Sequence, residues 1–201
     1  MPDNKSEVTE KWSVLSDEEL ENEIAKSIAG TAWTSSSAHW QFVNRVYPTI
    51  QDMHLQKRVC ETLLRIASNE SFPEGDADLC SRAAYVSSKL KLPGSKEILR
   101  KMIEKVGNPS LITWPVYFHW LNDSVKELTI HEAEPFLVRQ LEALPKNWLN
   151  FVKDPRNTQD PKVQQYWAYT SAYNALKVIN KELAEIYGNN LGLFSQDSNE
   201  E

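Results

Sequence analysis

Between positions 163 and 186, core-type side chains return every three or four residues: Val163, Tyr166, Thr170, Tyr173, Leu176, Ile179, Leu183 and Ile186. That step is the period of one face of an α-helix, whereas a half-buried strand alternates by two. The same period runs through the rest of the chain. Leu20, Ile24 and Ile28 make a narrow stripe at spacing four. Leu55, Val59, Cys60, Leu63, Ile66 and Ala67 make a broad one, and further stripes run from Leu79 to Leu90 and from Ile98 to Val106. No stretch reads as a strand, and six glycines in 201 residues are few for the many turns of a strand-rich fold. The pattern predicts an all-α fold of about eight helices. Its short connections make antiparallel helix pairs the natural packing.

Capping signals place the boundaries. Ser16 followed by Glu19 spells a capping box for a first helix that Gly30 stops. A second helix is predicted over 38–47 before Pro48, and a third over 52–68. Asp76 caps a fourth and Ser95 a fifth, which Gly107-Asn108-Pro109 ends. Thr113, with Pro115 in the first turn, opens an aromatic sixth containing Trp114, Tyr117, Phe118, His119 and Trp120. The seventh starts either at Thr129, with Glu132 completing a box, or at Glu134 with Pro135 behind it. A short helical piece over 146–153 precedes a long last helix, capped by Asp160 and running to Tyr187 before Gly188. This layout predicts a mobile N-terminal arm (1–15), a single helical domain (16–187) and a disordered acidic tail (188–201).

Net charge is −6, unevenly spread. Residues 1–30 hold eight acids and three bases, residues 188–201 three acids and no base, leaving 17 acids and 19 bases between them. A general nucleic-acid binder shows the opposite balance, so nucleic acid is not the expected partner. No run of 18 apolar residues occurs, and the polar start lacks an apolar signal-peptide core. No membrane role is therefore expected, and the expected location is the cytoplasm. Cys60 and Cys80 lie on apolar stripes and read as free thiols.

Two stretches share a further pattern. Residues 52–67 begin Asp52-Met-His-Leu-Gln-Lys-Arg58, and residues 154–172 begin Asp154-Pro-Arg-Asn-Thr-Gln-Asp160. Each sets an aspartate or Asp-Pro turn before a helix with charged or amide residues early and apolar residues at helical spacing. This resembles the inter-helix turn and second helix of HEAT-like repeats. The resemblance implies helix pairs stacked in a short curved solenoid, against an irregular helical bundle as the other packing. Because most HEAT-like proteins are interaction scaffolds, it also implies protein binding. HEAT-like glycosylases acting on alkylated bases imply the alternative of a DNA-binding, base-excision enzyme. For that role the basic run 89–105 (Lys89, Lys91, Lys96, Arg100, Lys101, Lys105) would meet phosphates.

Chemistry-bearing motifs are few. His39, His54, His119 and His131 lack metal-ligand spacing, and there is neither a Gly-x-Ser-x-Gly elbow nor a phosphate loop. No catalytic, cofactor-binding or metal residue is assigned, and no cofactor is expected. The remaining enzyme alternative, chemistry on a small molecule, requires a pocket holding a perturbed carboxylate or histidine.

Seven tryptophans are the informative excess. Trp33, in a polar loop, and Trp12, in the arm, read as exposed. Trp120 lies off the side shared by positions 114, 117, 118 and 121, so it either packs on a neighbouring helix or serves as a surface anchor. The expected function is a non-catalytic protein-binding module, an adaptor or an inhibitor such as an immunity-type protein that caps a basic partner. Asp17, Glu18, Glu21 and Glu23, with Trp33, Trp40 and Trp120, are the predicted contact residues. The four acids are expected to steer that partner electrostatically.

Overall fold

The computed structural model describes residues 4–29, 36–107, 117–143 and 161–190. Among these, every regular element is helical. The ten α-helices are α1 (Asn4–Ser13), α2 (Asp17–Ile28), α3 (Ser36–Gln41), α4 (Met53–Ala67), α5 (Ala77–Lys89), α6 (Ser95–Val106), α7 (Tyr117–Leu128), α8 (Glu134–Glu142), α9 (Pro161–Ile179) and α10 (Lys181–Asn190). Gly30, Trp33, Thr113, Trp114, Pro115, the 146–153 piece, Asp160 and the tail beyond 190 lie outside the described residues. No described helix is long and apolar enough to cross a membrane.

Two of the ten helices were not expected. The first is α1, where an arm was predicted. Trp12 is only 4% exposed, and its ring stacks 6.3 Å from Phe42. Thr9 Oγ1 also donates to the Thr49 carbonyl. A largely polar segment is held in place by one large apolar side chain, so Trp12 is a core residue and not a surface anchor.

The second arises because the last helix breaks. Asn180 donates its amide N–H to Leu176 and then turns its side-chain oxygen to the Leu183 N–H, capping a new helix. Its side-chain NH2 donates to Glu134 Oε2, and His131 Nδ1 lies 3.1 Å from the Ile179 carbonyl. The break changes the helical phase. Tyr173, Leu176 and Ile179 are buried as the stripe predicts, but Ile186 is exposed and Ala184 and Gly188 face inward. Gly188 lies within α10, where a stop was predicted.

The remaining boundaries follow the caps closely. Ser16 and Glu19 form the reciprocal capping box, Asp52 caps α4, and Asp76 caps α5. Residues 38–47 are helical in three short styles: α3, a π-turn at Phe42–Val46 and a 3₁₀ turn at Tyr47–Thr49. Ser95 is the first residue of α6 and not its cap, and its buried hydroxyl has no hydrogen-bond partner. The seventh predicted helix starts at Glu134 with Pro135 behind it. Thr129 instead takes φ +49° and closes α7, with the Ile130 N–H reaching back to the Val125 carbonyl.

The chain divides into two compact units, Met1–Met102 and Ile103–Glu201. In the first, α4 packs on α2 and α5, and α2 also meets α5. Ile24, Leu55, Val59, Leu63 and Val86 are fully or almost fully buried there. In the second, α9 packs on α7, α8 and α10. Ala168, Ala172 and Ala175 are buried along it, and such small side chains let neighbouring backbones come close.

Inside the second unit lies a knot of amides. Asn122 on α7 and Gln140 on α8 are fully buried and exchange side-chain hydrogen bonds of 2.8 and 3.0 Å. Asn122 Nδ2 also donates to Ser171 Oγ and to the Ala168 carbonyl on α9. Gln140 Nε2 also donates to Phe136, and Ser171 Oγ to Ala168. Three helices are thereby held in one arrangement by polar groups that only that arrangement satisfies.

Candidate functional site

The predicted acidic face belongs to α2, whose first turn is acidic because carboxylates suit the positive end of a helix dipole. Most of its charge is neutralised within the chain. Arg58 on α4 donates through Nε and Nη2 to Asp17 Oδ1, at 3.1 and 2.7 Å, and through Nη2 to the Leu15 carbonyl at 2.7 Å. Arg65, two turns further along α4, pairs with Glu21 at 2.8 Å. Glu23 accepts from Lys11 at 2.6 Å and from Lys26 at 3.3 Å. Of the four predicted acids, Glu18 alone has no ion-pair partner among the described residues.

These contacts set the ionisation of the face. The hydrogen bonds from Arg58, followed by its charge, hold the Asp17 carboxyl below its ordinary value. The Ser16 backbone N–H lowers Glu19, and the Lys11 ammonium lowers Glu23.

A half-open pocket of about 330 Å³ lies where α2 meets α4, lined by Asp17, His54, Arg58, Glu61, Thr62 and Arg65. His54, Arg58, Thr62 and Arg65 follow one another at steps of four, four and three, a polar stripe beside the apolar stripe of α4. None of these four was assigned to a site from the sequence, where His54 was weighed only as a metal ligand. Asp17 and Glu21 sit four apart on one helix and Arg58 and Arg65 seven apart on another, but nothing local in the sequence pairs the two.

The tryptophans separate. Trp40 is 49% exposed on α3, and the Arg45 guanidinium stands 5.3 Å over its ring. Arg45 belongs to the π-turn, a local widening of the helix often found at functional positions. Trp120 is 6% exposed, against the His119 ring at 4.8 Å, and so it is a packing residue and not a surface anchor. It sits in the second unit, while the acids and Trp40 sit in the first.

His119 and Asp123 stand 3.5 Å apart one turn along α7, both partly buried. In the basic run, Lys89 lies over the Tyr85 ring and Lys101 pairs with Glu97. Cys60 and Cys80 are free, and the Tyr47 hydroxyl stands 3.4 Å from Cys60 Sγ. Burial, and then this contact, push the Tyr47 phenol up to about 12. Among the described residues, no three His, Cys, Asp or Glu side chains gather to hold a metal. No family model matches the chain, and no curated protein or solved structure matches it.

Proposed function

We propose that the chain is a non-catalytic protein-binding module whose contact surface is centred on Trp40. The observation that carries this reading is the half-exposed indole with Arg45 stacked on it. Tryptophan and arginine are the residue types most enriched where binding energy concentrates, and this pair presents both on one short helical segment. The acidic balance of the chain favours a basic protein partner, and an inhibitor that caps such a partner, of the immunity kind, is one module of this description. Stacked HEAT-like helix pairs are the scaffold this reading proposes. Because Asp17, Glu21 and Glu23 are tied to bases of the chain itself, Glu18 is the acid left to steer.

The test is capture of partners from native lysate on the immobilised full chain, beside Trp40→Ala and Glu18→Lys. A basic protein held by the parent chain and lost with Trp40→Ala is the expected result. Glu18→Lys should slow association and flatten its salt dependence while leaving the complex formed. Identical capture by all three chains overturns the proposal.

A further inference from the structure

We propose that the pocket between α2 and α4 is an oxyanion site, which takes a carboxylate or phosphate group of a small ligand. Trp40 does not line this pocket, so its occupancy is independent of the protein contact proposed above.

The inference rests on which polar groups are left over, and where. Arg58 uses Nε and Nη2 on Asp17 and Leu15, which leaves Nη1 with two N–H donors and no protein acceptor. Arg65 reaches Glu21 through Nη2, which leaves Nε and Nη1. Thr62 also lines the pocket, where its hydroxyl can meet a ligand oxygen. Asp17, the first residue of the twelve-residue helix α2, is also in the lining, so the positive end of that helix dipole lies at the pocket.

Depth decides the sign of the ligand. The pocket also holds carboxylates, and with Glu21 beside Arg65 it contains three acids against two arginines and His54. Asp17 and Glu61 are outer groups, with side chains 71% and 63% exposed, where water screens them, and Glu21 is already paired with Arg65. The Arg58 side chain is 18% exposed and Thr62 less still, so the inner wall is made of donors. The N–H donors left on Arg58 and Arg65 suit the charged oxygens of a carboxylate or a singly charged phosphate. The acid rim disfavours a doubly charged ligand.

The test is a nuclear magnetic resonance titration of the isotope-labelled full chain with sodium acetate, with inorganic phosphate near pH 6, and with sodium chloride at matched ionic strength. The expected result is saturable movement of the Thr62 amide and of the Arg58 and Arg65 side-chain N–H signals with acetate or phosphate, but not with chloride. Saturation with acetate alone assigns a carboxylate ligand, and with phosphate alone a phosphate ligand. Thr62→Val should weaken the response roughly ten-fold by removing one hydrogen bond to a charged group, and Arg65→Gln should abolish it. Arg65 is half exposed, so Arg65→Gln tests the site even if Thr62→Val does not fold. Equal shifts with chloride, no saturation with either oxyanion, or a titration unchanged in Arg65→Gln overturns the assignment.

Discussion

The two units use polar groups in opposite ways. In the first, α2 and α4 are joined by ion pairs at the surface, such as Arg65–Glu21, whose side chains are 53% and 42% exposed. In the second, α7, α8 and α9 are joined by Asn122, Gln140 and Ser171 inside the core, two of them with no exposure at all. Surface pairs contribute little because water solvates both partners nearly as well when they part. Buried amides have no such substitute, so breaking one bond leaves its partner unsatisfied. The first unit can therefore exchange its polar contacts with an incoming ligand at small cost, while the second is fixed by its own.

The largest expected effect follows from that contrast. Asn122→Leu strands Gln140, which loses both halves of its reciprocal bond, and should destabilise the chain by about 3 kcal/mol. Adding Gln140→Leu should recover part of the loss, because removing both partners is milder than orphaning one. Arg65→Gln should cost under about 1 kcal/mol. Urea denaturation of the four chains gives the comparison directly. Equal losses for Asn122→Leu and Arg65→Gln would remove the distinction between the units.

A smaller effect separates two helix ends. Lys91 closes α5 and Thr129 closes α7, each in the left-handed region (φ +52° and +49°) that favours glycine. Both complete the same motif, Leu92 bonding back to Ser87 and Ile130 to Val125. Threonine is β-branched and fits that region worse than lysine. Thr129→Gly should therefore stabilise by about 1 kcal/mol and Lys91→Gly by less, since glycine also has more freedom to lose on folding. Thermal denaturation that ranks them the other way would mean the Thr129 hydroxyl or methyl contributes a contact that offsets its backbone strain.

These two positions also show where the sequence could be read. Caps that act through a side chain one turn away, such as Ser16 with Glu19, and Asp76, are local and were legible. Thr129 was not, because its role comes from backbone conformation; as a threonine three places before Glu132, it looks like the start of a helix. Asn180 was missed for a related reason: a continuous three-and-four stripe hides a cap, and only the Glu134 and Leu183 contacts show that the helix restarts. At the candidate site the acids of α2 were visible as a cluster, but their partners lie about 40 residues away on α4, and nothing local encodes that pairing. Trp40 is exposed, as its place among the contact candidates requires, whereas Trp12 is buried although it sits in a polar segment, and Trp120 packs, the first of the two roles the sequence left open. Burial of such residues depends on which helix arrives opposite.

The smallest effect is a pH dependence confined to the first unit. Asp17, Glu19 and Glu23 are each held below their ordinary values, by Arg58, by the Ser16 backbone and by Lys11 respectively. Unfolded carboxyls of these types titrate near about 4. In the acid range the unfolded chain thus binds more protons than the folded one, and stability rises with pH. The contribution is complete above the unfolded values and is lost as pH falls through the folded ones. Asp17 and Glu19 are exposed and Glu23 keeps 26% of its side-chain surface, so water screens these contacts and the loss is modest. The amides of the second unit do not titrate and should show no such term. Hydrogen exchange followed from pH 6 toward pH 3, corrected for the intrinsic rate, should therefore show protection falling first in α2 and α4. An Asp17→Asn, Glu23→Gln chain should start with lower protection there and lose less of it. If α7, α8 and α9 lose protection in step with α2, the acid-sensitive groups that matter lie in the second unit, and the surface ion pairs are not what distinguishes the first.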